Sequence, residues 1–280
     1  MKMLKNETPL TTLVLGGNGK TGRRVVNRLQ QQNLSYRIGS RSGIPAFDWN
    51  DTSTWKPALQ GTDAVYITFQ PDLAVPGAKE AIAAFTDVAV QTGVQRLVLL
   101  SGRGEEEAQQ CEEVVIQAGV DWTIVRCSWF SQNFSESFLL EPVLAGEVIL
   151  PVGNVGEPFI DAEDIADAVT AALTERGHAG RIYELTGPRL VTFQQAVEEI
   201  AKATGRDIEF ASVSAATFAG ALRNQQVPED DIAFINYLFT EVLDGRNEKL
   251  TDGVQEALHR PAKDFSQYVQ EAAATGVWNN

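Results

Sequence analysis

Cysteine is scarce in this 280-residue chain: Cys111 and Cys127 are the only two. They cannot build a disulfide framework, and neither sits in the Cys-x-x-Cys spacing of a metal site. Histidine is as rare. His178 and His259 lie far apart beside Gly177 and Arg260, so both are expected at the surface and no metal centre is expected. No stretch approaches the roughly 18 apolar residues that mark a membrane span, and the opening text MKMLKNETPLTTLVLGG has too short an apolar run for a secretory signal. The expectation is a protein of the reducing cytoplasm with no membrane partner. Basic residues are in the minority, 23 Lys and Arg against 37 Asp and Glu, giving a net charge of −14. Such a chain repels phosphate backbones, which argues against nucleic acid as a partner and leaves solubility as the use of the charge. Repeats and low-complexity segments are absent too, and 44% hydrophobic residues suffice for a sizeable core.

What is present is an alternation. Thr11–Leu15 is a β-rich run ending in glycines, and residues 23–32 carry Val25, Val26 and Leu29 at helical spacing. SYRIGSR (35–41) reads as a second strand and IPAFDW (44–49) as a third. AVYITF (64–69) is continuously β-branched and aromatic, as in a strand buried on both faces. A helix through residue 93, the strand QRLVLLSG (95–102), a helix to Gly119 and the strand DWTIVRC (121–127) follow. This order predicts an α/β fold: a Rossmann-type, doubly wound parallel sheet with helices on both faces. The alternation weakens after residue 135. DAEDIADAVTAAL (161–173) has one apolar helical face with Asp161 as its cap. RIYELTG (181–187) reads as a further sheet strand, and Thr192 with Gln195 forms a capping box for a helix ending near Gly205. The predicted division is a dinucleotide-binding domain over 1–135, with 158–187 returning to it. Residues 136–157 and 188–280 form a smaller, mostly helical substrate or lid lobe.

LVLGGNGKTG (13–22) contains two competing signatures. Gly-Lys-Thr ends an ATP-binding P-loop, but that loop needs a glycine five positions before Gly19, and Val14 stands there. Gly17, Gly19 and Gly22 instead match Gly-x-Gly-x-x-Gly, and Gly16, Gly19 and Gly22 match its looser form. The turn follows a strand and opens a helix, the setting in which glycines admit a pyrophosphate to a helix N-terminus. Lys20 either assists by charge or is simply solvated. An NAD enzyme carries Asp or Glu at the end of the second strand for the ribose hydroxyls. Here Ser40, Arg41 and Ser42 stand instead, and Arg41 suits a 2′-phosphate through paired hydrogen bonds. NADP(H) is the expected cofactor.

GGNGKTG, SRS, FDWND (47–51), DAVYITF (63–69), VQRLVLLSG (94–102), GVDWTIVRCSWFSQNF (119–134), PFIDAEDIADAVTAAL (158–173) and YELTGP (183–188) occur in this order. Through these motifs residues 11–205 resemble NmrA-like proteins, atypical relatives of the short-chain dehydrogenases. SRS, FDW, TW and AL more narrowly resemble the ergot-alkaloid reductases of the agroclavine and festuclavine synthase type and their bacterial relatives. The resemblance implies a Rossmann domain binding NADP(H) and a C-terminal lobe over the nicotinamide end. It places the pyrophosphate on Gly16, Gly17, Asn18, Gly19, Lys20, Thr21 and Gly22, and the 2′-phosphate on Arg41 with Ser42. Asp48 and Trp49 lie near adenine, and Thr68, Phe69 and Gln70 border the riboses. Cys127 departs from the family, which commonly has proline there.

Typical short-chain dehydrogenases protonate the product with a tyrosine whose pKa is lowered by a lysine four residues on. None of the five tyrosines, at 36, 66, 183, 237 and 268, has that lysine. GRGEEEAQQCEEVV, which follows Ser101, holds neither Tyr nor Lys. Two readings remain open. One is a reductase whose small-molecule acceptor, an iminium ion or quinone, is already electrophilic, so that alignment of the hydride suffices. The other is a non-catalytic NADP(H) sensor that binds a protein partner. Ser101, at the C-terminal end of a central strand, is the candidate catalytic residue or a turn former. Arg103 meets an anionic acceptor or is solvated beside Glu105–Glu107. Trp129, Phe130, Asn133 and Phe134 wall a flat aromatic pocket or pack the lobe. Glu105–Glu107 with Glu112 and Glu113 reads as a solvated helix face, and Asp161 and Asp164 as caps.

Overall fold

The computed structural model describes residues 10–279; the opening stretch read above for a signal lies, up to Pro9, outside them. Continuous apolar runs become strands and the 3.6-periodic segments become helices. The first half of the chain runs β1 (Thr11–Leu15), α1 (Gly22–Gln31), β2 (Ser35–Gly39), α2 (Trp55–Leu59), β3 (Ala64–Ile67), α3 (Ala78–Gln91), β4 (Arg96–Gly102), α4 (Glu106–Ile116) and β5 (Asp121–Cys127). It continues through α5 (Asn133–Glu136), α6 (Leu140–Ala145), β6 (Glu147–Leu150), β7 (Gly156–Glu157), α7 (Ala162–Thr174), β8 (Arg181–Leu185) and β9 (Val191–Thr192). It ends with α8 (Phe193–Thr204), β10 (Glu209–Ser212), α9 (Ala215–Asn224), α10 (Glu229–Tyr237), α11 (Gly253–Leu258) and α12 (Phe265–Ala274).

The main sheet has six strands in the order β2-β1-β3-β4-β5-β8, with β2, β1, β3 and β4 paired in parallel. This is the predicted Rossmann-type sheet. The chain divides into two compact units. The first holds the described residues up to Ser101, Glu107–Val125 and Ala166–Ile182; the second holds Gly102–Glu106, Arg126–Ile165 and Tyr183 onward. The core of the first is built from strand residues such as Leu13, Val65, Leu97 and Ile124, packed with Trp55, Ile82 and Phe85. Arg28 on α1 and Asp167 on α7 form an ion pair within it. The core of the second is aromatic: Phe134, Phe159, Phe193, Phe239, Phe265 and Trp278. Two small sheets belong to that unit, β6 with β10 in parallel and β7 with β9 antiparallel.

Three readings of the sequence are corrected. Residues 44–49 form no strand, only a single bridge from Asp48 to Asp51. Pro45 has no N–H for a ladder, and the Phe47 amide turns back to the Ser40 carbonyl at 2.9 Å. Phe47 and Trp49 are apolar because they pack against Trp55 and Phe85, not because they alternate across a sheet. His178 is buried, with its carbonyl accepting from the Thr123 hydroxyl at 2.8 Å. Glu105 and Glu112 are buried as well, so the glutamate run is not one solvated face. The capping box at Thr192 and Gln195 forms as read, and α8 ends at Gly205 in the left-handed region. No helix among the described residues is long and apolar enough to cross a membrane.

Candidate cofactor and acceptor site

β1 delivers the chain into the glycine turn at the C-terminal edge of the sheet. Gly16 takes φ +60°, and its carbonyl accepts from the Gly19 amide at 2.7 Å. A β-carbon on Gly22 would lie 2.2 Å from the Gly16 oxygen, and one on Gly17 would lie 2.8 Å from Ile38 Cγ2. The turn therefore closes only with glycine at these positions. Thr21, the residue before α1, makes no side-chain cap; its hydroxyl instead accepts from the Tyr66 hydroxyl at 3.0 Å. No acidic residue occupies the first turn of α1. An uncapped helix start without a carboxylate leaves the positive end of the helix dipole for an anion. The cradle fits a dinucleotide pyrophosphate. Val14, where a P-loop needs glycine, is wholly buried in β1.

Thr68 and, through it, Trp49 meet this turn along the same edge. The Thr68 hydroxyl donates to the Leu15 carbonyl at 3.1 Å, tying the end of β3 to the start of the turn. Trp49 Nε1 donates to the Thr68 carbonyl at 3.1 Å, and its ring lies edge-on to Phe69 at 4.9 Å. Asp48 is held by the hydrogen bond from its amide to the Thr54 hydroxyl, and Gln70 is exposed. Arg41 and Ser42, in the loop after β2, are exposed; the Ser42 hydroxyl stands 3.4 Å from that of Ser40. The structure thus brings residues 16–22, 48–49 and 68–69 into one connected group, with Arg41 on the neighbouring loop.

Ser101 lies one residue before the end of β4. It is 5% exposed, and its hydroxyl donates to Glu112 Oε1 on α4 at 2.6 Å; Glu112 is 2% exposed. Burial pushes the Cys111 thiol up to about 11 and raises that of Cys127 as well, so neither is a ready nucleophile.

In the second unit the Trp129 ring meets Phe193 at 5.5 Å, Phe239 at 5.2 Å and the exposed Phe138 at 6.3 Å. Phe130 bridges to Ile160, and Asn133 opens α5 with its amide on the Phe130 carbonyl. Phe134 is a correction: it is wholly buried among Phe159, Phe193 and Phe265 and presents no surface for a pocket wall. Arg103 is neither solvated nor free to meet an anion. It donates to the Ser128 hydroxyl at 3.1 Å and to the Asn247 and Lys249 carbonyls at 3.1 and 2.9 Å, and lies 3.6 Å from Glu184.

Asp161 does cap α7, accepting from the Glu163 amide at 2.7 Å, but it also accepts from Gln132 and faces Lys263 at 3.4 Å. Asp164 is buried and accepts from Arg260 at 2.6 Å and the Lys263 amide at 2.7 Å, a latch for the segment before α12. Sequence reasoning took Glu112 for a solvated residue and did not single out Glu157; both are buried. A cavity of about 800 Å³ opens between α8 and α12, lined by Arg189, Lys202 and Val269 among others, and none of the expected site residues lines it.

A glycine turn joining a parallel strand to an uncapped helix, with its rim at the strand C-termini, defines a dinucleotide-binding α/β protein. Residues 16–176 match the family model described as NAD(P)H-binding. The chain is 28% identical to agroclavine dehydrogenase of Claviceps fusiformis, over 94% of its length and 97% of that protein. It is also 28% identical to prestalk A differentiation protein A of Dictyostelium discoideum, over 94% and 93%. Among solved structures it is similar to an NADPH-dependent quinone oxidoreductase of Escherichia coli complexed with NADPH. The TM-score is 0.78 at 20% identity, covering 93% of this chain and 99% of that one. The family model spans more than half of the chain, so this protein belongs to the NAD(P)H-binding family.

Proposed function

We propose that the protein is an NADPH-dependent oxidoreductase that reduces a flat, electrophilic organic acceptor, such as an iminium ion or a quinone, without a Tyr-x-x-x-Lys pair. When bound, the nicotinamide supplies the hydride. Gly16, Gly17, Asn18, Gly19, Lys20, Thr21 and Gly22 hold the pyrophosphate by backbone N–H groups, and Arg41 with Ser42 holds the 2′-phosphate. Asp48 and Trp49 take the adenine side, and Thr68, Phe69 and Gln70 the riboses. Trp129, with Phe130 and Asn133, walls the acceptor by its aromatic face. The single observation that carries the mechanism is the hydrogen bond from Ser101 to Glu112. Ser101, at the strand end just before the segment where a dehydrogenase keeps its acid, has its hydroxyl hydrogen turned into the protein. The acceptor must then be reactive enough to take hydride by alignment alone. The names of two similar proteins, a clavine dehydrogenase and a quinone oxidoreductase, support this substrate class. The thiols of Cys111 and Cys127, both buried and neither in a disulfide, suit a reducing cytoplasm.

A second reading is a non-catalytic NADP(H) sensor with a protein partner. The near-complete burial of Ser101 favours it, as does similarity to a protein named for a role in differentiation. A turnover screen with NADPH against quinones, imines, azo dyes and enones separates the two. Reduction of one of these classes supports the reductase. No reduction, together with different captured proteins in NADP⁺ and NADPH, supports the sensor.

A further inference from the structure

Glu157 is a carboxyl that the mechanism above does not use. It lies on β7, is 1% exposed, and its Oε1 accepts the Trp129 amide hydrogen at 3.1 Å. No donor reaches its Oε2 in hydrogen-bond geometry. The groups that face it come from each element packed around it. Arg103 stands in the β4–α4 turn, and Ser128 follows β5. Glu248, from the segment before α11, accepts the neighbouring Gly156 amide at 2.9 Å. The β9 residues opposite, Val191 and Thr192, carry no ionisable group. Arg103 divides its charge among Glu184 and the Asn247 and Lys249 carbonyls, so it compensates Glu157 only in part. Burial dominates and pushes the Glu157 carboxyl up to about 7, against the opposing pull of the Trp129 amide, Arg103 and Ser128.

A carboxylate holds an amide by a charge-assisted hydrogen bond, roughly twice as strong as the bond a neutral acid makes. The Trp129 backbone hangs on that bond, and its ring stands against Phe193, Phe239 and Phe138. We infer that Glu157 is a positioning residue for the Trp129 wall: its carboxylate fixes the Trp129 backbone, and uptake of one solvent proton relaxes that hold and weakens binding of the second molecule. The last clause rests on the reductase reading; the coupling of Glu157 to Trp129 does not.

The test follows tryptophan fluorescence of the whole protein without cofactor from about pH 5 to about pH 9. The wild type is expected to show a transition near pH 7 that is missing in Glu157→Gln and loses most of its amplitude in Trp129→Phe. Absence of the transition in the wild type, its survival in Glu157→Gln or its full amplitude in Trp129→Phe overturns the inference. Hydrogen exchange at the Trp129 amide of the wild type, corrected for the intrinsic pH dependence, needs no variant. Protection should fall several-fold below pH 7, and constant protection contradicts the coupling. With an acceptor in hand, its KM should rise several-fold as pH falls through about 7 in the wild type and stay flat in Glu157→Gln, while NADPH affinity is the same in both. If no acceptor is reduced, the reductase reading fails while fluorescence and exchange still decide the inference.

Discussion

The Ser101 hydroxyl gives its hydrogen to Glu112 Oε1 at 2.6 Å, and both residues are buried. A serine so engaged offers its lone pairs and not its proton. Ser101→Ala should therefore lower turnover by less than about tenfold, below the 10²–10⁴ that a positioned acid typically contributes. It should also cost about 1–3 kcal/mol of stability, because the buried Glu112 oxygen loses that donor. Steady-state kinetics and denaturant unfolding of the same preparation measure both; a loss of turnover beyond about 10⁴ makes Ser101 an essential acid.

Arg41 takes the place of the acid that would bind ribose hydroxyls, and it is exposed beside Ser42. NADPH should bind more tightly than NADH, and Arg41→Ala should erase the difference. A charge-assisted contact of about 1.5–3 kcal/mol corresponds to roughly ten- to a hundredfold. Equal affinities in the wild type, read by titration of both cofactors, contradict this role.

Phe134 and Trp129 separate packing from recognition. Phe134→Ala should cost about 3–5 kcal/mol of stability, because it empties the centre of a fully buried aromatic core. Trp129→Ala should instead weaken turnover of the acceptor and leave NADPH affinity nearly intact. Calorimetric melting and separate cofactor titrations distinguish the two, and reversed outcomes would reassign both residues.

Burial raises the Glu157 carboxyl from 4.5 to about 7. A raised acid binds its proton more tightly in the folded chain than in the unfolded one. Its contribution is complete below about pH 4.5 and is lost as pH rises through about 7, a span worth up to about 3 kcal/mol. Glu157→Gln does not titrate, so its stability relative to the wild type should increase between about pH 4.5 and about pH 8. A constant difference in unfolding free energy across that range would show that the carboxyl titrates normally.

Most of the sheet was legible because a parallel strand covered on both faces reads as an unbroken apolar run, as in Val65–Ile67 and Leu97–Leu99. The glycine turn was legible because steric closure at Gly22 permits one residue type. The aromatic run at 44–49 misled because apolar content alone does not tell a strand from a loop packed by Phe47 and Trp49. The burial of Glu112, Glu157, Arg103 and His178 was not legible at all. The burial of a polar side chain is decided by partners distant in sequence, such as Asn247 for Arg103, and leaves no local period. Phe134 and Trp129 sit in the same short segment, and only packing tells that Phe134 is wholly buried while Trp129 is half-buried against the same core.

The most direct test of the account is transfer of deuterium from NADPH deuterated at both C4 positions to an imine acceptor, whose new C–H bond keeps the label, compared between wild type and Ser101→Ala. The account predicts labelled product from both proteins at rates within about tenfold, since alignment and not a Ser101 proton drives the step. Unlabelled product, or no product from any acceptor class while NADPH binds, would contradict it.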